Sequence, residues 1–256
     1  MSFSLLAADE SEPVRVLRGG ISDFLLTADH AGRLIPRALG TLGLDEAERR
    51  RHIAWDIGIA GVTEVLSAML DATAALQAYS RLVIDCNRAP HHPTSIPPVS
   101  EATAIPGNEG LSVAARDARR QAIFDPYHAA IADILDRRKA AGRRSVLIAM
   151  HSFTPVFKGI ARKVEVGVLY HHETRLSRIM LGLLRAEGDL VVGANEPYAI
   201  TDDSDYTIPV HGEGRALDHV EIEIRQDLIA DPAGQSEWAN RMARLLTAAD
   251  QRLRAA

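Results

Sequence analysis

The sequence has one cysteine, Cys86, among its 256 residues. An internal disulfide framework and a zinc site made of cysteines alone are therefore both excluded. Basic residues are not in excess either, because the sequence has 29 lysines and arginines and 34 acidic residues, which give a formal net charge of −5. This balance offers no drive for binding nucleic acid or an anionic membrane. Ten histidines leave histidine and carboxylate as the credible metal-ligand set.

Long apolar segments are missing as well. No window approaches the roughly 18 apolar residues of a membrane span. Residues 1–13 lack the basic start and the long apolar core of a signal peptide. We therefore expect no membrane partner and a cytoplasmic location. The hydrophobic fraction of 46% and the charged fraction of 25% are ordinary for a soluble enzyme and exclude a disordered chain.

No internal repeat, low-complexity tract or linker divides the chain, so we expect residues 1–256 to form a single domain. Such a chain buries about three quarters of its unfolded surface and needs no disulfide or metal in order to fold. Apolar patterning predicts strands at 22–28, 74–79, 82–86, 145–150, 164–170, 190–193 and 220–224. It predicts helices at 45–70, at 111–141 with an interruption at 125–126, at 175–187 and at 235–253.

This alternation of strands and helices predicts an α/β fold, a three-layer αβα sandwich around a mixed, mainly parallel sheet. Between two of the predicted elements, residues 89–110 are rich in proline and predict a long irregular loop. Loops longer than about 15 residues are usually functional or mobile. We expect this loop to decide how open a binding pocket is.

Polar pairs follow three of the predicted apolar strands, namely Asp29-His30, Asn87-Arg88 and His151-Ser152. Ligands of open α/β sheets bind outside the carboxyl ends of the strands, so we expect these pairs to converge. The period-two strand at 220–224 places Glu221 and Glu223 on one face. Two histidines and a carboxylate can bind zinc with an open position for water, and a further glutamate can take the proton of that water.

Each of these features also has a plain structural interpretation. A histidine after a strand is more often a hydrogen-bonding loop residue than a metal ligand. Asn87 and Arg88 could form a turn with a surface salt bridge, and the face that carries Glu221 and Glu223 could simply be solvated. The convergence of all of them favours a hydrolytic site.

Six segments, in order, carry a resemblance to a known family: DHAGRLIP (29–36), HIAWDIG (52–58), YSRLVIDCNRAP (79–90), HSFTPV (151–156), VGANEPY (192–198) and EIEIRQDL (221–228). From about residue 25 to residue 228 the chain resembles the N-formylglutamate amidohydrolase family. The resemblance implies a hydrolase that removes a formyl or other small acyl group from an N-acyl acidic amino acid such as N-formyl-L-glutamate. It also implies a place in histidine degradation.

The chain is more distantly similar to zinc carboxypeptidases and their deacylase relatives. That similarity implies that His30 and His151 are zinc ligands and that Glu223 is the general base. It further implies that Asn87 and Arg88 hold a carboxylate of the substrate. We expect Arg81 to assist Arg88 in this task, and Ser152 is a further candidate for binding substrate.

The third metal ligand departs from the carboxypeptidase pattern. Those enzymes carry a ligating glutamate three residues after the first histidine, where this chain has Arg33, which cannot ligate. Asp56 is the first candidate, because it lies in a matching segment and in a predicted helix of mostly apolar neighbours. Asp29 is the second candidate, and its position beside His30 also suits an orienting role. Alternatively, Asp56 is a helix-face acid that pairs with Arg51 or His52.

The leading hypothesis is thus a zinc-dependent amidohydrolase acting on a small N-acyl amino acid, with another divalent metal left open. A second hypothesis is a carboxypeptidase-like metallopeptidase, for which the loop 89–110 would leave an open groove. A third is a metal-free binding protein on the same fold. The acyl group, the amino acid and the oligomeric state stay open.

Overall fold

The computed structural model describes residues 5–203 and 205–255. Its strands are β1 (Val14–Leu17), β2 (Phe24–Ala28), β3 (Thr73–Gln77), β4 (Val99–Ser100), β5 (Thr103–Ala104), β6 (Val146–Phe153), β7 (Val156–Phe157), β8 (Ile160–Ala161), β9 (Val166–Leu169), β10 (Val192–Ala194) and β11 (Asp218–Arg225). Its α-helices are α1 (Glu46–Arg50), α2 (Ile59–Leu70), α3 (Val113–Arg119), α4 (Asp125–Ala140), α5 (Arg175–Glu187) and α6 (Pro232–Ala255). Within the described ranges, no helix combines the length and the apolar character needed to cross a membrane.

Seven of the strands form one sheet in the order β1-β3-β2-β6-β11-β9-β10. β2 pairs in parallel with β3 and β6, β6 with β11, and β9 with β10. Two pairings are antiparallel, β1 with β3 and β9 with β11. The predicted mixed, mainly parallel sheet is confirmed. Two separate hairpins, β4–β5 and β7–β8, stand outside this sheet.

The sheet separates two apolar clusters, because successive side chains of a strand point to opposite faces. Leu26 of β2 and Ile148 of β6 pack with α2, α5 and α6 in one cluster. Leu25 and Leu147, their neighbours in sequence, pack with α4 in the other cluster. Helices thus cover both faces, which confirms the three-layer αβα architecture.

The predicted strand at 82–86 is wrong. This segment consists of turns outside the sheet, although Leu82, Val83, Ile84 and Cys86 are all fully buried. Its backbone finds partners in other loops: Val83 donates to the carbonyl of Ser80, and Asp85 donates to that of Ser95. A short buried apolar run cannot be told from a buried strand by its pattern alone. The pair Asn87-Arg88 therefore follows a buried turn and not a strand.

The predicted helix at 45–70 is interrupted. α1 ends at Arg50 and α2 begins at Ile59, so Asp56 lies in the connection and not within a helix. Gly58 closes this connection with a left-handed φ of 83°. A Cβ at position 58 would lie 2.1 Å from the carbonyl oxygen of Ile229, so only glycine fits there. The apolar periodicity continues across the break, which is why the pattern predicts one helix.

The predicted interruption at 125–126 is also wrong, because a π-helical turn at 120–124 joins α3 to α4 without a break. The N–H of Asp125 bonds to the carbonyl of Arg120, five residues earlier. Pro126, which has no N–H, is accommodated in the first turn of α4. In the proline-rich segment 89–110 the structure has the β4–β5 hairpin and a short 3₁₀ turn at Pro106–Asn108.

Candidate active site

The carboxyl ends of three central strands supply most of the candidate site. β2 ends immediately before Asp29 and His30, and β6 carries His151 near its end. In the parallel pairing of β11 with β6, Glu223 lies opposite His151. The alternation along β11 turns its isoleucines into an apolar cluster and leaves Glu221 and Glu223 on the side of a cavity. The structure therefore brings together the polar residues that follow β2 and those of β6 and β11.

His30, Asp56 and His151 form a buried group that could hold a metal ion, since each offers one ligand atom and these atoms all lie within 4.8 Å of one another. Asp56 Oδ2 is 3.5 Å from His30 Nδ1 and 3.1 Å from His151 Nδ1. Donors bound tetrahedrally to zinc at 2.0–2.2 Å stand about 3.4 Å apart. The spacing and the donor types of this chain therefore fit a metal centre. His30 Nδ1 is buried and hydrogen-bonds to no described residue, whereas His151 Nδ1 is within hydrogen-bond distance of Asp56 Oδ2.

The other ring nitrogen of each histidine faces a carboxylate. His30 Nε2 is 2.7 Å from Asp85 Oδ1, and His151 Nε2 is 3.3 Å from Asp29 Oδ2. A carboxylate on the outer nitrogen orients a ligating imidazole and makes it more basic. Asp29 is itself held by Tyr127, whose hydroxyl donates to its Oδ1 at 2.6 Å. Of the two roles left open for Asp29, this geometry favours the orienting role.

Asp85 is a functional residue that the sequence analysis missed. It accepts the hydrogen bond of His30, a 2.6 Å bond from Arg81 and the backbone N–H of Asn87. The signal that could have revealed it is its isolation, since it is the acid in the otherwise apolar run at 82–86. An acid buried among apolar neighbours needs a polar partner.

Asp56 has the partners of a ligand and not those of a helix-face acid. Its Oδ2 accepts the backbone N–H of Ser152 at 3.1 Å, and its own N–H donates to the carbonyl of His30. Arg51 and His52, the alternative partners considered from the sequence, both approach Glu101 instead.

The carboxyl groups of the site divide into two kinds. Burial raises the pKa of Glu221 and of Glu223 to about 8. Burial would also raise the pKa of Asp56, but the charges of His30 and His151 and the hydrogen bond of His151 hold it below its usual range. Carboxyl groups whose environments push their pKa values apart are suited to different roles. Glu221 and Glu223 can hold a proton near neutral pH while Asp56 stays ionised.

The residues expected to bind substrate differ in how freely they face the cavity. Arg81 lines it but already pairs with Asp85, and its Nη1 is 3.7 Å from Asp56 Oδ1. Arg88 also lines the cavity, with Nη1 3.5 Å from Asp205 Oδ1. These ion pairs explain how two arginines are tolerated at the partly buried wall.

Asn87 and Ser152 are engaged in holding the walls of the cavity. The Asn87 amide donates to Asp205 and accepts from the backbone N–H groups of Tyr206 and Thr207. The Ser152 hydroxyl donates to the carbonyl of Ile57, next to Asp56. Ser152 thereby fixes the connection that carries the candidate ligand.

The site opens into a cavity of about 530 Å³, a volume ordinary for small-molecule sites. The two hairpins form its mouth, and Val99 and Glu101 from the proline-rich segment line it together with Phe157 from β7. Glu101 accepts the backbone N–H of Lys158 at 3.1 Å and so joins the two hairpins. The segment 89–110 therefore lines part of the cavity and is joined there to the β7–β8 hairpin.

A second histidine group lies near the surface. His171, His172 and Asp202 place ligand atoms within 4.8 Å of one another, and His171 Nε2 is 3.5 Å from Asp202 Oδ1. Unlike the first group, it is not buried. Metal measurements on this protein should distinguish the two groups.

Comparison with known proteins places this arrangement in a family. A gene product of Agrobacterium tumefaciens with a known crystal structure is 39% identical, with a TM-score of 0.94 over 98% of this chain and 99% of that one. An N-formylglutamate amidohydrolase from Ralstonia eutropha JMP134 is 18% identical and shares the fold, with a TM-score of 0.69 over 96% of this chain and 100% of that one. No curated protein matches the chain. The profile of the N-formylglutamate amidohydrolase family matches residues 22–230, a range that includes His30, Asp56, His151 and Glu223. The chain therefore belongs to this family.

Proposed function

We propose that this protein is a zinc-dependent amidohydrolase that removes a formyl or other small acyl group from an N-acyl acidic amino acid such as N-formyl-L-glutamate. Membership of the family implies a hydrolase that acts on amides. The observation that carries the proposal is the buried group of His30, Asp56 and His151 beside Glu223. Histidine degradation and a cytoplasmic location stay predictions from the sequence.

Two histidines and one carboxylate are a known protein ligand set for catalytic zinc, which leaves a position for water or substrate. Zinc bound there would polarise the amide carbonyl and lower the pKa of water from 15.7 toward about 7. In this chain, Asp85 hydrogen-bonds to His30 Nε2 and Asp29 Oδ2 lies 3.3 Å from His151 Nε2, so both carboxylates could orient the imidazoles for that task. Another divalent ion with the same preference for nitrogen and oxygen is the alternative to zinc.

Glu223 is placed to move the proton of the reaction. Its Oε2 is buried and hydrogen-bonds to no described residue, and burial raises its pKa to about 8, which makes its ionised form a stronger base. As general base it takes a proton from the attacking water, whose oxygen forms a bond to the carbonyl carbon. It then delivers that proton to the amide nitrogen as the C–N bond breaks. The products are formate, or another small acid, and the free amino acid.

A small substrate is favoured over a peptide, because the contact between Glu101 and Lys158 joins the two hairpins beside the cavity. Arg88 and Asn87 are proposed to receive the α-carboxylate, since a guanidinium fits a carboxylate in bidentate fashion.

The test joins a metal analysis to a deacylation screen over N-formyl, N-acetyl and N-carbamoyl amino acids. We expect the purified protein to carry zinc, to release formate from N-formyl-L-glutamate, and to lose this activity reversibly on chelation. His30→Ala should lose the activity and one equivalent of metal. His171→Ala is the matched control and should keep the activity. Full turnover after complete removal of metal would refute the proposal.

A further inference from the structure

The guanidinium of Arg162 lies among three aromatic rings that belong to the wall of the cavity. Arg162 follows β8, and its Cζ is 4.7 Å from the ring centroid of Phe157, 4.8 Å from that of Tyr198 and 5.6 Å from that of Phe153. All three aromatic residues line the cavity. Its Nη1 donates to the Tyr198 hydroxyl at 2.8 Å and approaches the carbonyl of Thr154 at 3.4 Å.

This arrangement holds the cation without neutralising it. Aromatic faces attract a guanidinium and fix its plane, but they carry no net charge. Nε and Nη2 make no hydrogen bond within the described parts of the chain, 5–203 and 205–255. Those two groups form one edge of the guanidinium. A carboxylate can accept a hydrogen bond from each of them at the same time, in bidentate fashion.

The other arginines around the cavity already have acidic partners. Arg81 pairs with Asp85, Arg88 with Asp205, and Arg51 with Glu101. For Arg162 no carboxylate lies within ion-pair distance anywhere in residues 5–203 and 205–255.

A substrate with two carboxylates would meet a predominantly acidic wall. The cavity is lined by six acidic residues, Asp56, Asp85, Asp205, Glu101, Glu221 and Glu223, and by two arginines that are already paired. Electrostatic complementarity therefore requires a further cation for the second carboxylate. Arg162 packs against aromatic residues of the cavity wall and has no acidic partner among the described residues, so it can be that cation.

We propose that Arg162 is the specificity-determining residue that binds the side-chain carboxylate of an N-acyl acidic amino acid. This inference rests on the proposed function for the identity of the substrate. Arg88 and Asn87 receive the α-carboxylate, and Arg162 selects acidic side chains over neutral ones of the same size. Tyr198 holds the Arg162 guanidinium in place through its hydroxyl.

The first test compares Arg162→Gln with the wild type on N-formyl-L-glutamate and N-formyl-L-glutamine, which have the same size and differ in charge. We expect kcat/KM for the glutamate substrate to fall about tenfold to a hundredfold, the loss of one charge-assisted contact, through KM. The glutamine substrate should change little. Lys163→Gln, which removes the same charge from the exposed neighbouring residue, is the control and should preserve the preference.

Arg162→Lys keeps the charge and loses the planar fork, so its preference should lie between those of the wild type and Arg162→Gln. Thermal unfolding of each variant checks that it is folded. An unchanged preference in Arg162→Gln, or an equal loss on both substrates in a folded variant, overturns the proposal.

A binding measurement separates this inference from the proposed function. Glutarate and its monoamide are titrated into the zinc-loaded wild type and into zinc-loaded Arg162→Gln by calorimetry. We expect the wild type to prefer the dicarboxylate and the variant to lose that preference. If the wild type hydrolyses no N-formyl amino acid, the proposed function fails while this titration still decides the role of Arg162. Equal binding of the two compounds to the wild type contradicts that role.

Discussion

The carboxylates around the candidate metal centre should differ in their effect on metal affinity according to the atoms that they face. Asp56 places Oδ2 between the two Nδ1 atoms, whereas Asp85 faces His30 Nε2 and Asp29 faces His151 Nε2. Loss of an outer partner typically weakens metal affinity 10–100-fold. We therefore expect Asp85→Asn and Asp29→Asn to fall in that range and Asp56→Asn to exceed it.

These affinities convert to stability, because a ligand that binds the folded state stabilises it in proportion to the logarithm of its affinity. A 10–100-fold loss corresponds to about 1.4–2.7 kcal/mol at saturating zinc. For a chain of this size each kcal/mol shifts the Tm by roughly 2–4 °C, so the zinc-dependent part of the Tm should fall by roughly 3–11 °C.

Competition with a chromophoric zinc chelator gives the affinities, and thermal unfolding with and without zinc gives the shifts in Tm. Asp133→Asn is the matched control, because its carboxylate pairs with Arg137 on the exposed surface of α4. If Asp29→Asn weakens zinc binding more than Asp56→Asn, the ligand and orienting roles are reversed. Unchanged affinity in Asp85→Asn would show that its bond to His30 does not orient the ring.

Three further predictions concern the base, two buried histidines and a glycine. Glu223→Gln should keep its metal and lose about 10²–10⁴-fold in kcat, with a milder loss in Glu221→Gln; metal loss in Glu223→Gln would instead make it a ligand. Burial lowers the pKa of His128 to about 4 and that of His211 to about 3. The folded state therefore binds these two protons at a lower pH than the unfolded chain does. The contribution of these two neutral histidines to stability is full above about pH 7 and is lost as the pH falls toward 4 and then 3. Denaturant titrations over this pH range should show that His128→Gln loses less stability on acidification than the wild type does. Gly58→Ala should destabilise the fold by more than about 1 kcal/mol, because its left-handed backbone and a carbonyl 2.1 Å from the added Cβ both oppose it; an unchanged denaturation midpoint would contradict this.

The parts of the site that the sequence predicts are those that depend on strand ends. His30 and His151 follow or end long apolar runs, and period two places Glu221 with Glu223. Parallel pairing of the strands then brings these residues together, and this does not depend on the conformation of the loops. The resemblance to the family adds Asp56, although its place in a break between helices depends on the backbone that only Gly58 allows.

The parts that the sequence analysis misses depend on loops. Asp85 gains its role from the turn at 82–86, which an apolar pattern does not distinguish from a strand. Arg162 acquires its position from the β7–β8 hairpin and from Tyr198, which lies 36 residues away in the chain. No local pattern reports such a contact, because it arises from tertiary packing.

The two joined hairpins at the mouth have a consequence for how this family can diversify. His151 and Glu223 lie on central strands and His30 follows one closely, while β4–β5 and β7–β8 lie outside the sheet and contribute side chains such as Phe157 to the cavity wall. Exposed loops tolerate insertion and exchange far better than the elements that carry them. Replacement of one hairpin by another sequence can therefore produce a paralogue that admits a different acyl amino acid and hydrolyses it with unaltered machinery.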